Sequence, residues 1–196
     1  MPKANIPMLL ASTVAVAGWA APPSPVAPQP GASTEPWVDR LPRPTRPETD
    51  LALRRTMLVA HATTRALVGV PPLLWSEELA ESARLHAEEL AASGAFSHEG
   101  RFAAPRGVGE NLWMGTHGGF TYTEMVGAWM AEAQDYVSAP TPHFSRTGLW
   151  KDVGHYTQMV WRGTTHVGCA VAKGAADDVL VCRYAPAGNV LGRAAF

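Results

Sequence analysis

The sequence predicts a single α+β domain in which helices occupy the first half and strands the second. Apolar residues recur at three- and four-residue steps between positions 51 and 93, which is typical of amphipathic helices. Two valine-rich segments near the C-terminus are separated by a short turn region, which is typical of a β-hairpin. This segregated order favours helices packed on a sheet over alternating βαβ units.

The first two helices are recognised by their apolar spacing and by the residues at their ends. The first is predicted over residues 51–67, and Gly69 and the prolines after it end the pattern. The second begins after Ser76, a residue type that commonly caps helix N-termini, and it ends at Gly94. Its apolar stripe consists of Leu79, Ala83, Ala87 and Leu90. Such a stripe is suited to packing on a sheet.

A third helix is predicted over residues 123–136, and its apolar face contains a carboxylate. Met125, Trp129 and Tyr136 share this face with Glu132. An ionised carboxylate in a core costs several kcal/mol unless it is paired or hydrogen-bonded. We therefore expect Glu132 to have a partner or to face a cavity. The alternative is that the edge of the stripe is solvated and Glu132 reaches water.

The hairpin is predicted over residues 166–173 and 179–184, and each strand carries one of the two cysteines of the chain. Cys169 and Cys182 can form a cross-strand disulfide where they lie directly opposite each other. Two buried free thiols are the alternative. Because disulfides persist in exported proteins, we favour the bond if the chain is exported.

The N-terminal residues predict export. Positions 1–21 combine Lys3, an apolar run and small residues suited to signal peptidase, which is typical of a signal peptide. The apolar run is shorter than the ~20 residues that span a bilayer, so we expect no transmembrane anchor in the mature chain. Positions 22–48 hold nine of the 17 prolines and predict a semi-extended linker. The domain is then predicted over residues 49–196, secreted or periplasmic.

Composition narrows the choice of partner and cofactor. The 196 residues carry a formal net charge of -1, which argues against nucleic acid as a partner. Two cysteines are too few for a four-thiolate zinc site. The short leader and the abundance of alanine favour a bacterial source, and we expect a monomer.

Most of the seven histidines are expected to have structural or surface roles. His86 lies beside the apolar stripe of the second helix, so we expect it at the edge of that stripe. His98 and His155 differ because of the residues around them.

Several motifs occur in a fixed order across residues 51–192. Residues 154–161 read GHYTQMVW, residues 164–169 read TTHVGC, and residues 181–190 read VCRYAPAGNV. GENL at 109–112, FSH at 96–98 and the pair His61 and Arg65 accompany them. The chain thereby resembles the CAP superfamily, also called the sperm-coating-protein domain, which includes cysteine-rich secretory, antigen 5 and pathogenesis-related-1 proteins. The two long signatures are highly specific.

The resemblance implies a three-layer α-β-α sandwich with a small, mainly antiparallel sheet. It also implies a cleft tetrad that corresponds here to His98, Glu110, Glu132 and His155. Two imidazoles and two carboxylates suit a divalent metal such as zinc or magnesium, with both histidines as ligands and both glutamates orienting them or holding water. One departure is Ala62, because family members usually carry Asn there, after the first-helix His61.

The resemblance leaves three functions open. The first is a secreted binding module that holds a metal in the cleft and a lipid, sterol or protein in a neighbouring groove. The loop over residues 137–153 would border that groove with Phe144, Leu149 and Trp150, unless these side chains cap the core. The second is a metal-dependent hydrolase that uses the same tetrad. The third is a scaffold in which the tetrad only ties the helices to the sheet.

Overall fold

A computed structural model describes residues 50–196 of the chain. The predicted signal peptide and linker, and the first residue of the predicted domain, lie outside the described residues. The helices and strands follow in the order α1 (Asp50–Leu67), β1 (Leu74–Trp75), α2 (Glu77–Ser93), β2 (Gly109–Thr116), α3 (Tyr122–Ala131), α4 (Gly154–Met159), β3 (His166–Lys173) and β4 (Asp177–Ala185). Two 3-10 turns, Glu132–Asp135 and Trp150–Val153, lie between α3 and α4.

The four strands form one sheet in the order β1-β3-β4-β2. The long strands β2, β3 and β4 pair antiparallel, and only the two-residue strand β1 lies parallel to its neighbour β3. The sheet is therefore mainly antiparallel, as the resemblance implied. Cys169 and Cys182 are directly opposite each other on β3 and β4, with their Cα atoms 4.1 Å apart, and they form the predicted disulfide.

Helices cover both faces of this sheet. On one face, α1 and α3 pack on a core that includes the buried residues Met57, Trp113, Met125, Trp129, Leu180 and Tyr184. On the other face, α2 packs on a second core formed by Ala83, Ala87, Leu90, Leu112, Ala170, Val179 and Val181. Because successive strand residues point to opposite faces, β2 and β4 contribute alternately to the two cores. This arrangement confirms the three-layer α-β-α sandwich.

The ends of α2 show why the chain forms the helix there. Ser76 has extended backbone angles, and its Oγ accepts a hydrogen bond of 3.2 Å from the N–H of Leu79. Gly94 ends the helix in the left-handed conformation at φ 69°, and its N–H donates to the carbonyl of Leu90. Side chains with a Cβ rarely adopt this conformation, so glycine suits the position. No helix among residues 50–196 has both the length and the hydropathy needed to cross a bilayer.

Two expectations from the sequence are wrong in detail. Helix α3 ends at Ala131 rather than at Tyr136, because the next turn tightens into a 3-10 turn and Tyr136 then becomes extended and bridges to Ser145. His86 is completely buried rather than at the edge of its stripe. Its Nδ1 lies 3.2 Å from Glu89 Oε2, and its Nε2 lies 3.2 Å from the carbonyl of Ser97. Because both ring nitrogens have polar partners, the imidazole of His86 can be buried beside the apolar stripe.

Two buried polar residues of α1 fix the helix to the rest of the domain. Arg65 donates to the carbonyls of Met159 and Trp161 at 3.0 Å and 2.9 Å. His61 lies between the carbonyl of Met57, 2.7 Å from Nδ1, and the hydroxyl of Tyr184, 2.9 Å from Nε2. With the proton on Nδ1, the imidazole donates to Met57 and accepts from Tyr184. Neutral His61 thus satisfies both neighbours.

Protonation of His61 in the unfolded chain predicts a pH-dependent loss of stability. Burial lowers the pKa of His61 from 6.5 to about 4. Between about pH 6.5 and pH 4, His61 is therefore protonated in the unfolded chain and neutral in the folded chain. This contribution to the free energy of unfolding is complete above pH 6.5 and falls by about 3 kcal/mol as the pH is lowered to 4.

Urea unfolding of wild type and His61→Gln at several values between pH 7.5 and 4 measures this contribution. The other titrating groups are common to both proteins, so the difference between the two curves isolates His61. Parallel curves of free energy against pH would contradict the assignment.

Candidate functional site

His98 and Glu110 form the first half of the tetrad. Glu110 is the second residue of β2 and points to the α2 face of the sheet, and His98 lies in the connection after α2. His98 Nδ1 is 2.7 Å from Glu110 Oε1. The carboxylate has only 4% of its surface exposed, whereas the imidazole is 61% exposed. With its proton on Nδ1, His98 therefore leaves Nε2 free as a lone-pair donor.

A buried guanidinium accompanies the Glu110 carboxylate. Arg183 is directly opposite Glu110 on β4 and is completely buried. Its Nη2 lies 2.9 Å from Glu110 Oε2 and donates a 2.6 Å hydrogen bond to the carbonyl of Phe102. Burial lowers the pKa of the guanidinium, and the nearby carboxylate acts in the opposite direction. Since removing one member of a buried ion pair typically costs about 3–5 kcal/mol, neither group is tolerated there alone.

Glu132 and His155 form the second half. Glu132 Oε1 lies 2.6 Å from His155 Nδ1, and Oε2 accepts hydrogen bonds from the backbone N–H groups of His155 and Tyr156 at 2.9 Å and 3.0 Å. The indole of Trp129 stacks on the His155 ring, with the centroids 5.9 Å apart and the planes within 17°. Glu132 thus has the partner that its place among apolar residues requires. It is held by two backbone amides and an imidazole.

A chain of hydrogen bonds connects the second half to β2. Asn111 directly follows Glu110 and points to the opposite face, where its Nδ2 donates to the carbonyl of His155 at 3.1 Å and to the hydroxyl of Tyr184 at 3.2 Å. Tyr184 in turn donates to the neutral His61 of α1. Burial raises the pKa of the Tyr184 hydroxyl well above its ordinary value, so it stays protonated and able to donate. The consecutive residues Glu110 and Asn111 of β2 therefore link the two histidine–carboxylate pairs.

Close packing of β2 against α4 supports this link. A Cβ on Gly109 would lie 2.1 Å from Oε1 of Gln158 in α4, so only glycine allows this approach. Gln158 is itself fixed, because its Oε1 accepts from the N–H of Gly188 and its Nε2 donates to Thr164. The glycine that precedes Glu110 therefore sets the separation of the strand from the helix that carries His155.

The three residues expected to line an apolar groove have different surroundings. Phe144 is completely buried and packs near Tyr136, so it contributes to the core rather than to a surface. Leu149 and Trp150 are 64% and 41% exposed. The Trp150 ring packs beside Gly154, the residue before His155.

Sequence reasoning missed two residues of the site. Arg183 was not singled out, although it follows Val179 and Val181 at two-residue steps, which places it on the buried α2 face of β4. His86 was expected at an edge, yet its Nε2 lies 3.7 Å from Glu110 Oε2. Strand periodicity therefore indicates that Arg183 is buried. The spacing of α2 does not indicate the polar groups that surround His86.

The donor set is compatible with a divalent metal, but the side chains of residues 50–196 do not complete a site by themselves. Each histidine turns Nδ1 to a carboxylate, which is the arrangement that orients metal-ligating imidazoles, and each would offer Nε2. Imidazole nitrogen suits zinc better than magnesium, which prefers oxygen ligands. Within residues 50–196, no group of three or more His, Cys, Asp or Glu side chains is arranged to hold a metal ion.

Comparison with known proteins places the chain in a family. Residues 58–184 match the model of the cysteine-rich secretory protein family, CAP. Pathogenesis-related protein 1C of Nicotiana tabacum is 39% identical over 142 residues, which cover 71% of this chain and 78% of the relative. Repressed by EFG1 protein 1 of Candida albicans is 36% identical over 149 residues, which cover 74% of this chain and 50% of the relative. The chain belongs to the CAP family.

Solved structures support the same fold. The crystal structure of NaASP2 with Zn2+ matches with a TM-score of 0.62 and 26% identity, covering 74% of this chain and 84% of that one. The structure of BmVAL-1 matches with a TM-score of 0.61 and 23% identity, covering 80% of this chain and 86% of that one, and is similar in fold. The resemblance recognised from the sequence motifs is thereby confirmed.

Replacement of Gly109 by alanine is expected to lower the free energy of unfolding by about 1–3 kcal/mol, because the new methyl group overlaps the fixed amide of Gln158. Gly127→Ala provides the matched control. Gly127 lies inside α3, and a Cβ there meets no atom of residues 50–196 within 4 Å apart from its chain neighbours and the adjacent helix backbone. The control should raise stability by about 0.5–1 kcal/mol, because alanine is the better helix former. Urea unfolding of both variants measures the difference, and equal effects would contradict the packing argument.

Proposed function

We propose that the protein is an extracytoplasmic binding module that holds a zinc ion between His98 and His155. The proposal rests on one observation: both imidazoles turn Nδ1 to a carboxylate, at 2.7 Å and 2.6 Å. Each carboxylate fixes Nδ1 and leaves Nε2 to face a ligand, which is the arrangement that orients metal-ligating imidazoles, and the two pairs are linked through β2. Family membership adds support, since the family is described as one of secretory proteins.

The residues of the tetrad have distinct roles in this proposal. His98 and His155 contribute their Nε2 atoms as ligands, and Glu110 and Glu132 keep the proton on each Nδ1 and fix the planes of the rings. Trp129 restricts His155 further through stacking. A zinc ion held in this way supplies a Lewis acid and a coordination position for a donor group of a bound molecule. Zinc in the structure of NaASP2 is a property of that protein and supports the choice of metal here.

A second role follows from the exposed loop beside the tetrad. Leu149 and Trp150 present apolar surface next to Gly154, and Gly154 immediately precedes His155. Complete burial of an exposed side chain of this size stabilises by about 1.5–3 kcal/mol, and the exposed parts of Leu149 and Trp150 offer a fraction of this to a lipid, a sterol or an apolar protein segment. Phe144 has no part in this proposal, because it is completely buried.

Zinc titration followed by calorimetry tests the metal site. Wild type should bind one zinc ion, and the double variant His98→Ala/His155→Ala should show no binding. The single variants Glu110→Gln and Glu132→Gln should bind about 10–100-fold more weakly, because the amide no longer fixes the imidazole tautomer.

His117→Ala is the matched control for this titration. His117 also pairs with a carboxylate, Asp178, at 2.7 Å, but it follows the opposite end of β2. Its variant should bind zinc as tightly as wild type. Equal affinity of wild type and the double variant would remove the proposed metal site and leave the scaffold role.

Mass spectrometry of lipids retained after incubation with a sterol and a fatty acid tests the apolar role. Leu149→Ser/Trp150→Ser should retain at least about tenfold less than wild type, since most of the apolar contact is lost. Leu51→Ser is the control, because Leu51 is 73% exposed on α1. Equal retention by wild type and both variants would contradict a lipid role for this loop.

A further inference from the structure

We infer that Arg183 is the positioning residue for the His98 half of the site, because it clamps both the Glu110 carboxylate and the connection that carries His98. This inference rests on the proposed zinc site for its functional meaning. Its structural content, the orientation of the metal-free His98 imidazole, is independent of any metal.

A single nitrogen of Arg183 makes both contacts. Nη2 lies 2.9 Å from Glu110 Oε2 and 2.6 Å from the carbonyl of Phe102. Phe102 belongs to the connection between α2 and β2, four residues beyond His98. The contact with Glu110 Oε2 is an ion pair, and the other carboxylate oxygen, Oε1, lies 2.7 Å from His98 Nδ1.

The same connection is anchored at a second point by Glu89 of α2. Its Oε1 accepts the N–H of Arg101 at 2.9 Å, and its Oε2 accepts the N–H of Phe102 at 3.1 Å. Glu89 fixes the backbone of the connection, but it has no hydrogen bond to Glu110 among the contacts of residues 50–196. His86 Nε2 lies 3.2 Å from the carbonyl of Ser97 but 3.7 Å from Glu110 Oε2, so the Arg183 ion pair is the shorter of the two contacts that relate the connection to the carboxylate.

The second half of the tetrad is fixed in a different way. Glu132 receives two backbone N–H groups from His155 and Tyr156, and Trp129 stacks on the imidazole. Arg183 has no contact in this network and lies on the other face of β4 from Tyr184. Loss of the guanidinium should therefore affect His98 and spare His155. A general loss of stability would not discriminate between the two histidines.

The experiment compares the imidazole tautomers of His98 and His155 in the metal-free protein. Nitrogen-15 NMR at pH 8.5 reports which ring nitrogen carries the proton, and zinc calorimetry gives the affinity of the same samples. In wild type both histidines should be protonated on Nδ1. In Arg183→Gln the Nδ1–H fraction of His98 should fall at least twofold while that of His155 stays unchanged, and the zinc dissociation constant should rise about tenfold or more.

Two further variants separate the role of Arg183 from a general loss of stability. Arg183→Lys retains the positive charge but lacks the planar guanidinium, so it should give a smaller fall at His98 than Arg183→Gln. Arg65→Lys is the control, because Arg65 is buried and bonded to four backbone carbonyls but has no contact with Glu110. It should lower the thermal midpoint and leave both tautomers unchanged.

The outcomes separate this inference from the proposed function. A His98 tautomer that is unchanged in folded Arg183→Gln overturns the inference, as does an equal change at both histidines. If Arg183→Gln does not fold, an unchanged His98 tautomer in Arg183→Lys overturns it. If wild type binds no zinc, the proposed function fails, and the tautomer comparison still decides the role of Arg183.

Discussion

The pleat of β2 is the constraint on which the site depends. Glu110 and Asn111 are consecutive, so their side chains leave the strand on opposite faces. Glu110 meets His98 and Arg183 on the α2 side, and Asn111 meets the carbonyl of His155 on the other side. The peptide between Glu110 and Asn111 thus joins the carboxylate of the first pair to the residue that holds the backbone of the second pair.

Each of the two carboxylates is stabilised by a different physical means. Glu110 is almost fully buried and depends on a guanidinium, whereas Glu132 depends on two peptide N–H groups. The guanidinium offsets the cost of burying the Glu110 charge, and the backbone amides donate hydrogen bonds to one Glu132 oxygen. Each half of the tetrad therefore presents the same groups to a ligand, an imidazole paired with a carboxylate. The two halves differ in the groups that stabilise the carboxylate.

Much of the fold was predictable from the sequence, because its signals are local. The caps of α2, the limits of α1 and the β3–β4 hairpin each follow from residues within a few positions. The need of Glu132 for a partner was predictable as well, since the residues on its predicted helix face are apolar. The pairing of Glu132 with His155 required the family motifs, because the two residues lie 23 positions apart. The surroundings of His86 and the early end of α3 depend on tertiary contacts that no local pattern contains.

The disulfide also fixes the register of the residues beside it on β4. Cys182 lies between Arg183 on one side and Val181 on the other, and Tyr184 follows Arg183 on the face of Cys182. A slip of β4 by one residue would place the guanidinium against the apolar α1–α3 core and remove the hydroxyl from His61. The covalent bond between directly opposed residues excludes that slip. Formation of this one disulfide therefore fixes the electrostatics of a site that contains neither sulfur atom.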